Sequence, residues 1–477
     1  MHRHTKIIAT LGPAVADRQT VRAMVEAGMD VARLNFSHGD HDLHSAFVSW
    51  VREAAGDTGR TIAVLQDIQG PKLRVGEFPN GRIQLEVGSE VRLVADDEVG
   101  TADRIPCSYE DLLADVSIGD RVLLADGLIQ LKVADHAGSH LLVEVLVGGT
   151  LSDHKGIAFP DSHLSLDSVT PKDEVDLEFG RTLGVDYVAA SFVRSGSDVA
   201  NVASIAGDVP IVAKIELAQA YANLDDILHE SFGVMVARGD LGVQLPLERI
   251  PLIQSDILTK TNAAGRISIT ATEMLESMTK SARPTRAEVT DVANAVQTGT
   301  DAVMLSGETA IGDFPIESIS AMAAICRAVE EGTLSERGAQ PVPFVGDGNR
   351  VASAVAQAAT QVAVNVEAET IVAFTESGNT ARLISKYRPE ARIVAFSPNP
   401  VTRNRMAMYW GVAPHDFERA TYTDAEIASA SLILEREDLV RLGETVVMVA
   451  GVPPNVRAST NLLKVHVIGE LSGGLGS

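Results

Sequence analysis

Eight short apolar segments, each followed by a stretch with helical periodicity, are the feature that most limits how this chain can fold. They lie at residues 6–10, 31–36, 61–67, 187–193, 210–216, 233–239, 267–273 and 302–308. Strands that alternate with helices and lack hairpin turns form parallel sheets. Eight such units predict that the sheet closes into a (β/α)8 TIM barrel.

The alternation is interrupted between residues 75 and 155, where the hydrophobic period changes to two. Short runs at 82–87, 91–94, 121–124, 129–133 and 141–147 are separated by turn residues such as Gly88-Ser89 and Asp126-Gly127. This pattern predicts a small antiparallel β-barrel inserted after the third barrel strand. An insertion at that end of the barrel is well placed to act as a lid.

A stretch with glycine and proline at 332–348 predicts a linker, and beyond it helices and strands alternate again. Helices are predicted at 350–364 and 379–387, with strands at 370–374 and 392–397, which is typical of an open α/β domain. The predicted division is therefore 1–74 and 156–335 for the barrel, 75–155 for the inserted lid domain, and 345–477 for the C-terminal α/β regulatory domain.

Charge and cysteine content exclude several classes of protein. The net charge of −24 argues against nucleic-acid binding, which needs an electropositive face, and favours solubility as its plain explanation. Cys107 and Cys326 are the two cysteines of the chain, too few for a disulfide framework or a thiolate zinc site. No apolar run reaches the ~18 residues needed to cross a membrane, so we expect a cytoplasmic protein with no membrane partner.

Polar residues gather at or just past the ends of the predicted barrel strands. The carboxyl ends of barrel strands form one face, where barrel enzymes carry their active sites. The residues that predict a site there are Asn35, Asp67, Lys214, Glu216, Arg238, Asp240, Thr272 and Glu308.

The segments around Lys214-Ile215-Glu216 and Gly239-Asp240 indicate a metal and phosphate site. Glu216 and Asp240 end adjacent strands, so their carboxylates can converge on Mg²⁺ or Mn²⁺. Backbone N–H groups of Gly239 and Asp240 would face a bound anion. Arg33 and Lys214 add the positive charge that phosphoryl transfer needs. The alternative for Lys214 and Glu216 is an ordinary salt bridge.

Six longer motifs resemble those of the pyruvate kinase family, in order and over nearly the whole chain. They are 32–39 (ARLNFSHG), 69–74 (QGPKLR), 214–216 (KIE), 271–278 (ATEMLESM), 283–288 (RPTRAE) and 304–309 (MLSGET). The resemblance implies transfer of a phosphoryl group from phosphoenolpyruvate to ADP, giving pyruvate and ATP. It also implies a homotetramer.

Residue roles follow from that resemblance. It implies catalytic roles for Lys214, Arg33 and Thr272, metal ligation by Glu216 and Asp240, and substrate contacts from Gly239 and Ser306 as well. Ser306 and Glu308 would orient a water chain near Thr272, and the proton donor to the enolate stays open. The nucleotide-binding residues that it implies are Asn35, His38, Arg74, Lys155 and, in the lid, Asp126.

One departure from the common family pattern concerns the monovalent ion. Many members that need K⁺ carry a glutamate where this chain has Lys72, and the sequence here also has Ile68 and Gln69. By resemblance, Asn35, Ser37 and Asp67 match the remaining ion ligands. A tethered ammonium can replace K⁺, so we expect activity without added K⁺. The alternative for Lys72 is a solvated surface lysine.

Residues 375–380 resemble the family's effector-phosphate loop, with Thr375, Ser377, Asn379 and Thr380 as candidate ligands. Glu376 stands where members activated by fructose bisphosphate tend to have lysine, so AMP or a sugar monophosphate is the expected effector. Arg457 could add positive charge. The alternative is a turn that binds nothing.

Other interpretations remain open at this stage. A barrel acting on phosphoenolpyruvate or pyruvate could instead cleave or form carbon–carbon bonds, and it would not need the lid or a nucleotide pocket. A non-catalytic sensor could keep the fold, although intact Lys214, Glu216 and Asp240 argue against it. His38, His41 and His44 suggest metal at first sight, but their spacing favours histidines on a helix surface.

Overall fold

The structure is a computed structural model that describes residues 3–336, 349–418, 422–452 and 460–469. Within those residues, no helix combines the length and apolar character that a membrane crossing needs. Arg457, which was expected to add positive charge near the effector loop, and most of the predicted linker lie outside the described residues.

The chain begins with three parallel strands that are buried on both faces. Asp17 and Asp40 accept hydrogen bonds from the N–H groups of Thr20 and Leu43 and so cap the first two helices. The elements are β1 (Lys6–Leu11), α1 (Arg18–Ala27), β2 (Val31–Asn35), α2 (His41–Thr58) and β3 (Ala63–Asp67).

The insertion follows β3 and forms two sheets around one apolar core. Its elements are β4 (Arg82–Leu85), β5 (Glu90–Val94), β6 (Arg104–Pro106), α3 (Leu112–Asp115), β7 (Arg121–Leu124), β8 (Ile129–His136), β9 (Leu141–Val147), β10 (Gly149–Ser152) and β11 (Ile157–Ala158). The larger sheet has the order β11-β7-β8-β9-β5-β6, and β10 pairs with β4. Because β11 pairs with β7, this sheet extends past the boundary placed at residue 155.

The remaining barrel strands alternate with helices, and the eight predicted strands close in the order β1-β16-β15-β14-β13-β12-β3-β2, which confirms the TIM barrel. Most of the predicted runs extend past the observed strands because their last residues lie in the loops or short helices that follow. The elements are α4 (Pro171–Leu183), β12 (Tyr187–Ala190), α5 (Gly196–Ala206), β13 (Ile211–Ile215), α6 (Ala218–Ala222), α7 (Leu224–Glu230), β14 (Gly233–Ala237), α8 (Arg238–Gln244), α9 (Ile250–Ala263), β15 (Ile267–Ala271), α10 (Arg286–Thr298), β16 (Ala302–Leu305), α11 (Gly307–Ala310) and α12 (Pro315–Glu336).

The C-terminal part is the predicted open α/β domain. Its sheet has the order β19-β18-β17-β20-β21, and only the pairing of β20 with β21 is antiparallel. The elements are α13 (Arg350–Asn365), β17 (Thr370–Phe374), α14 (Asn379–Lys386), β18 (Arg392–Ser397), α15 (Pro400–Met406), β19 (Val412–Asp416), α16 (Thr423–Arg436), β20 (Thr445–Ala450) and β21 (Leu462–Val467).

A buried ionic cluster joins this domain to the barrel at the end opposite the predicted site. Asp301, which directly precedes β16, is fully buried and pairs with Lys386 at the end of α14. The guanidinium of Arg388 lies 2.8 Å from the same carboxylate, and the N–H of Ser268 donates to it at 2.7 Å. The carboxylate of Asp301 in the barrel therefore forms ion pairs with two basic side chains of the C-terminal domain, Lys386 and Arg388.

Candidate active site

The carboxyl ends of β2, β3 and β13 bring three charged side chains into one buried network. The Arg33 guanidinium donates to Asp67 at 2.7 Å and to the hydroxyl of Thr10 at 2.9 Å. The ammonium of Lys214 lies 3.2 Å from the other carboxylate oxygen of Asp67. Asp67 thus orients both of the cations that the sequence assigns to a phosphoryl group.

Lys214 has its charge fixed by this network. Its ammonium lies 2.9 Å from Glu216 and donates to the hydroxyl of Ser191 at 2.7 Å. Burial alone lowers the pKa of Lys214, but the nearby carboxylates of Asp67 and Glu216 outweigh burial and hold that pKa above its usual value. The side chain is therefore a permanent, preorganised positive charge at the mouth of the barrel.

Glu216 and Asp240 form the pair predicted to hold a divalent cation. Glu216 is buried and accepts the N–H of Phe192 at 2.7 Å, whereas the side chain of Asp240 is about a third exposed. Burial raises the pKa of Glu216, and the neighbouring charge of Asp240 raises it further against the opposing effect of Lys214. Two carboxylates that repel one another, one of them open to solvent, suit a divalent cation bound through oxygen.

Lys72 lies in the cleft beside this pair. Its ammonium is 3.5 Å from Asp240 and 5.7 Å from the centre of the Phe192 ring. Among the residues that the structure describes, Lys72 pairs with Asp240 and not with Asp67, which is already paired with Arg33 and Lys214.

The other predicted monovalent-ion residues lie at the exits of β2 and β3. The side-chain oxygen of Asn35 accepts the N–H of Ser37 at 3.1 Å. The side chain of Ile68 is buried, and its carbonyl accepts the hydroxyl of Ser191 at 2.7 Å. Asp67 belongs to the network of Arg33 and Lys214, whereas the described contacts of Lys72 are with Asp240 and the Phe192 ring.

Thr272 directly follows β15 and has a backbone conformation that non-glycine residues rarely adopt. Its φ is +65°, and that of Glu273 is +52°. The Thr272 hydroxyl accepts the N–H of Gly239 at 2.8 Å and donates to the carbonyl of Ala271 at 2.7 Å. Such conformations cost ~1–3 kcal/mol and concentrate at functional sites. The N–H of Gly239, predicted to meet an anion, is held by Thr272 in this structure.

Ser306 and Glu308 follow β16 and form a second polar group at the exit of that strand. Glu308 is fully buried and accepts two backbone N–H groups, from Ser306 at 2.7 Å and from Leu275 at 3.0 Å. Among the residues that the structure describes, none forms a hydrogen bond with the buried hydroxyl oxygen of Ser306. A buried hydroxyl of this kind needs a partner, and a water or a substrate oxygen would supply one.

A cleft runs between the barrel and the insertion. Its lining includes Lys72, Glu216 and Asp240 from the barrel and Asp126 from the insertion. Asp126 lies in a turn with φ +57°. The cleft can therefore hold a ligand that contacts both domains at once.

As far as the chain is described, the other predicted nucleotide-binding residues are not in the lining of this cleft. The Arg74 guanidinium donates to the carbonyl of His154 at 2.9 Å, and the carbonyl of Lys155 accepts the N–H of Val75 at 2.9 Å. These contacts place both residues where the chain enters and leaves the insertion. His38 is exposed before α2, and its carbonyl lies 3.1 Å from the ring of His44.

The histidine series departs in part from the prediction of surface residues. His44 is buried, and its ring stacks on Phe36 at 4.1 Å between centroids. His41 stacks on Phe179 and lies 2.8 Å from Asp176. Within the described residues, no group of three or more histidine, cysteine or acidic side chains could hold a metal ion.

The predicted effector loop joins β17 to α14 in the C-terminal domain. The Thr375 hydroxyl accepts the N–H of Gly378 at 2.9 Å, and the hydroxyls of Thr380 and Thr460 are 2.7 Å apart. The side-chain oxygen of Asn379 accepts from Arg382 at 2.5 Å. Ser377 and Glu376 are exposed. Burial raises the pKa of Glu426, and the negative charge of Glu376 adds to that effect, so this end of the loop is electronegative.

Three residues of the site were missed by the sequence reasoning. Ser191 bridges Lys214 and Ile68, Phe192 donates its N–H to Glu216 with φ +55°, and Thr10 accepts from Arg33. The signal for Ser191 was present, because it follows β12 as the other polar residues follow their strands. Phe192 acts through its backbone, which side-chain chemistry does not reveal.

Comparisons with known proteins show the family to which the chain belongs. The family model described as the pyruvate kinase barrel domain matches residues 2–319, and the pyruvate kinase alpha/beta domain matches residues 353–466. A pyruvate kinase of Geobacillus stearothermophilus is 43% identical, over 99% of this chain and 81% of that protein. One from Mycobacterium tuberculosis is 42% identical, over 98% of this chain and 99% of its own. A crystal structure of a pyruvate kinase from Cryptosporidium parvum superposes with a TM-score of 0.89 at 36% identity, covering 98% of this chain and 96% of its own.

Proposed function

The chain belongs to the pyruvate kinase family, and from that premise we propose that Lys214, Arg33 and the carboxylates of Glu216 and Asp240 carry out its phosphoryl transfer from phosphoenolpyruvate to ADP. The family uses a divalent cation, and Mg²⁺ or Mn²⁺ fits the oxygen ligands of this pair. When bound, the cation supplies positive charge against the substrate's oxygens. The observation that carries the proposal is the ammonium of Lys214, 2.9 Å from Glu216 beside Asp67.

The protein's part in the transfer is to hold positive charge in fixed positions. Arg33 is oriented by Asp67 and Thr10, so its remaining N–H groups can bind the transferring phosphoryl group. Lys214 would neutralise the phosphoryl oxygens and then the negative charge of the enolate. Charges fixed before the reaction require no reorganisation when the transition state forms. Gly239 and Asp240 would contact the substrate from the neighbouring strand.

We propose that the enolate is protonated on the face that meets Thr272 and Ser306. The buried Ser306 hydroxyl has no hydrogen-bond partner within the described part of the chain, and Glu308 fixes its backbone. A water between Ser306 and Thr272 would relay the proton to carbon.

The nucleotide is proposed to bind between the barrel and the insertion. Asp126 reaches the cleft from the insertion, and Arg74 and Lys155 lie at the two connections of the insertion to the barrel. Asn35 and His38 would contact the nucleotide phosphates from the barrel. We further propose the division 1–74, 75–155, 156–335 and 345–477, which follows the change of hydrophobic pattern along the chain. A homotetramer is proposed by analogy with the family.

Initial-rate measurement of ATP and pyruvate formation from phosphoenolpyruvate and ADP tests the function. We expect turnover that requires Mg²⁺ or Mn²⁺. A barrel that cleaved or formed carbon–carbon bonds would instead consume the keto acid without making ATP. Turnover that does not depend on Mg²⁺ or Mn²⁺, or pyruvate formation without ATP, would contradict the proposal.

We also propose that the enzyme needs no added K⁺, because Lys72 puts an ammonium into the cleft. Changing Lys72 to glutamate should make the initial rate depend on K⁺, with roughly a tenfold or larger gain on adding KCl, since the variant lacks that charge. Wild type should respond by less than about twofold. Choline chloride at equal ionic strength is the control. A variant that ignores K⁺ would contradict the idea.

The effector is proposed to be AMP or a sugar monophosphate bound at the loop with Thr375, Ser377, Asn379 and Thr380. The exposed Glu376 disfavours a second phosphate, because like charges repel in this electronegative loop. The same initial-rate assay, run at low phosphoenolpyruvate, should show activation by one of these and not by fructose 1,6-bisphosphate.

A further inference from the structure

Each of the two carboxylates proposed to bind the metal is paired with the ammonium group of a lysine of this chain. Glu216 is paired with Lys214 at 2.9 Å, and Asp240 is paired with Lys72 at 3.5 Å. Taken together, the pairs neutralise both carboxylates within the chain itself. A divalent cation that bridges Glu216 and Asp240 must therefore compete with charges that are already present.

The two ammonium groups are held very differently. Lys214 is almost buried and has three polar partners in Asp67, Ser191 and Glu216. Lys72 and Asp240 are each about a third exposed, and the other contact of the Lys72 ammonium is the face of Phe192 at 5.7 Å. An exposed pair at this distance is weak, so Lys72 is the one that an incoming cation can displace.

We propose that Lys72 is a displaceable counter-ion for the divalent metal site: its ammonium holds Asp240 while no metal is bound and leaves when the metal binds. The inference rests on the proposed metal-binding role of Glu216 and Asp240. Lys72 thereby sets the affinity for the metal without ligating it. Its release also leaves a tethered positive charge in the cleft, which the proposed independence from K⁺ requires.

Binding of Mn²⁺ to the substrate-free protein, followed by electron paramagnetic resonance of the free ion, tests this without turnover. In Lys72→Met the dissociation constant for Mn²⁺ should fall about threefold to tenfold, the range expected when a weak competing ion pair is removed. Lys72→Arg, which keeps the charge, should bind Mn²⁺ close to wild type. Lys132→Met is the matched control, since it removes an exposed lysine of the insertion that does not line the cleft.

A second measurement follows Lys72 directly. Reductive ¹³C-methylation of lysines keeps their charge, and the signal missing from Lys72→Arg identifies Lys72 in the NMR spectrum. Adding Mg²⁺ should move this signal, since the ammonium leaves Asp240. A merely structural lysine would not respond.

The outcomes distinguish a failure of the counter-ion role of Lys72 from a failure of the proposed metal site. If Mn²⁺ binds and Asp240→Asn weakens it, but Lys72→Met binds as wild type and the NMR signal stays still, the counter-ion role is overturned. If Asp240→Asn leaves Mn²⁺ binding unchanged, the proposed metal site itself fails, and the counter-ion role fails with it.

Discussion

Changing Lys214 to methionine is expected to lower kcat by about a thousandfold, near the upper range for losing one preorganised transition-state contact. Methionine keeps the length of the side chain but removes the ammonium that lies between Asp67 and Glu216. The charge that would meet the phosphoryl oxygens and the enolate is then absent. The measurement is the steady-state rate of pyruvate formation at saturating phosphoenolpyruvate, ADP and Mg²⁺.

The control for this change is Lys260→Met, which breaks an exposed ion pair between Lys260 and Asp256 on α9. It should leave kcat within about twofold of wild type, because exposed pairs contribute little and this one is remote from the cleft. Circular dichroism and thermal unfolding establish that both variants are folded. A folded Lys214→Met enzyme within about tenfold of wild-type kcat would contradict the assignment.

Changing Asp301 to alanine is expected to destabilise the contact between the barrel and the C-terminal domain by ~3–5 kcal/mol. The reason is that Lys386 and Arg388 stay buried after their common carboxylate is lost. Ser268 also loses the acceptor of its N–H. Removing one partner of a buried ionic cluster costs more than the cluster contributes, because the remaining charges lack compensation.

Urea unfolding followed by the fluorescence of Trp410 measures this loss, since Arg388 lies 4.8 Å from the centre of that ring at the same junction. A Trp50→Phe background removes the other tryptophan of the chain. Asp313→Ala is the matched control, because it breaks an exposed pair with Lys280 and should cost ~0–1 kcal/mol. Equal shifts in the two variants would contradict the prediction, and Lys386→Met added to Asp301→Ala should restore part of the loss.

The barrel was predictable because its signal is repeated along the chain. Each of the eight strands is a short buried run at the start of a strand–helix unit, and the parallel strand order follows from the alternation. In the insertion, alternation predicted β8, where Ile129, Leu131 and Val133 are buried in turn. The strands β6 and β11 were not predicted, since they are two or three residues long and owe their pairing to neighbouring strands.

Sequence position also placed most of the candidate site, because parallel strands bring their carboxyl ends to one face. Lys214, Glu216 and Asp67 meet there as that rule requires. The rule does not say which partner a long side chain selects across the mouth of the barrel. Only the tertiary structure therefore shows the partner of Lys72, whose ammonium pairs with the carboxylate of Asp240.

What the sequence by itself determined is the order of strands and helices, the end of the barrel that carries the polar residues, and the family. These depend on local periodicity and on motifs that are continuous in the chain. What only the tertiary structure decided is the pairing of charges from distant segments: Lys72 with Asp240, Asp301 with Lys386 and Arg388, and the N–H of Phe192 with Glu216. Such contacts depend on distances of a few ångströms between groups far apart in sequence, and those distances exist only once the barrel has closed.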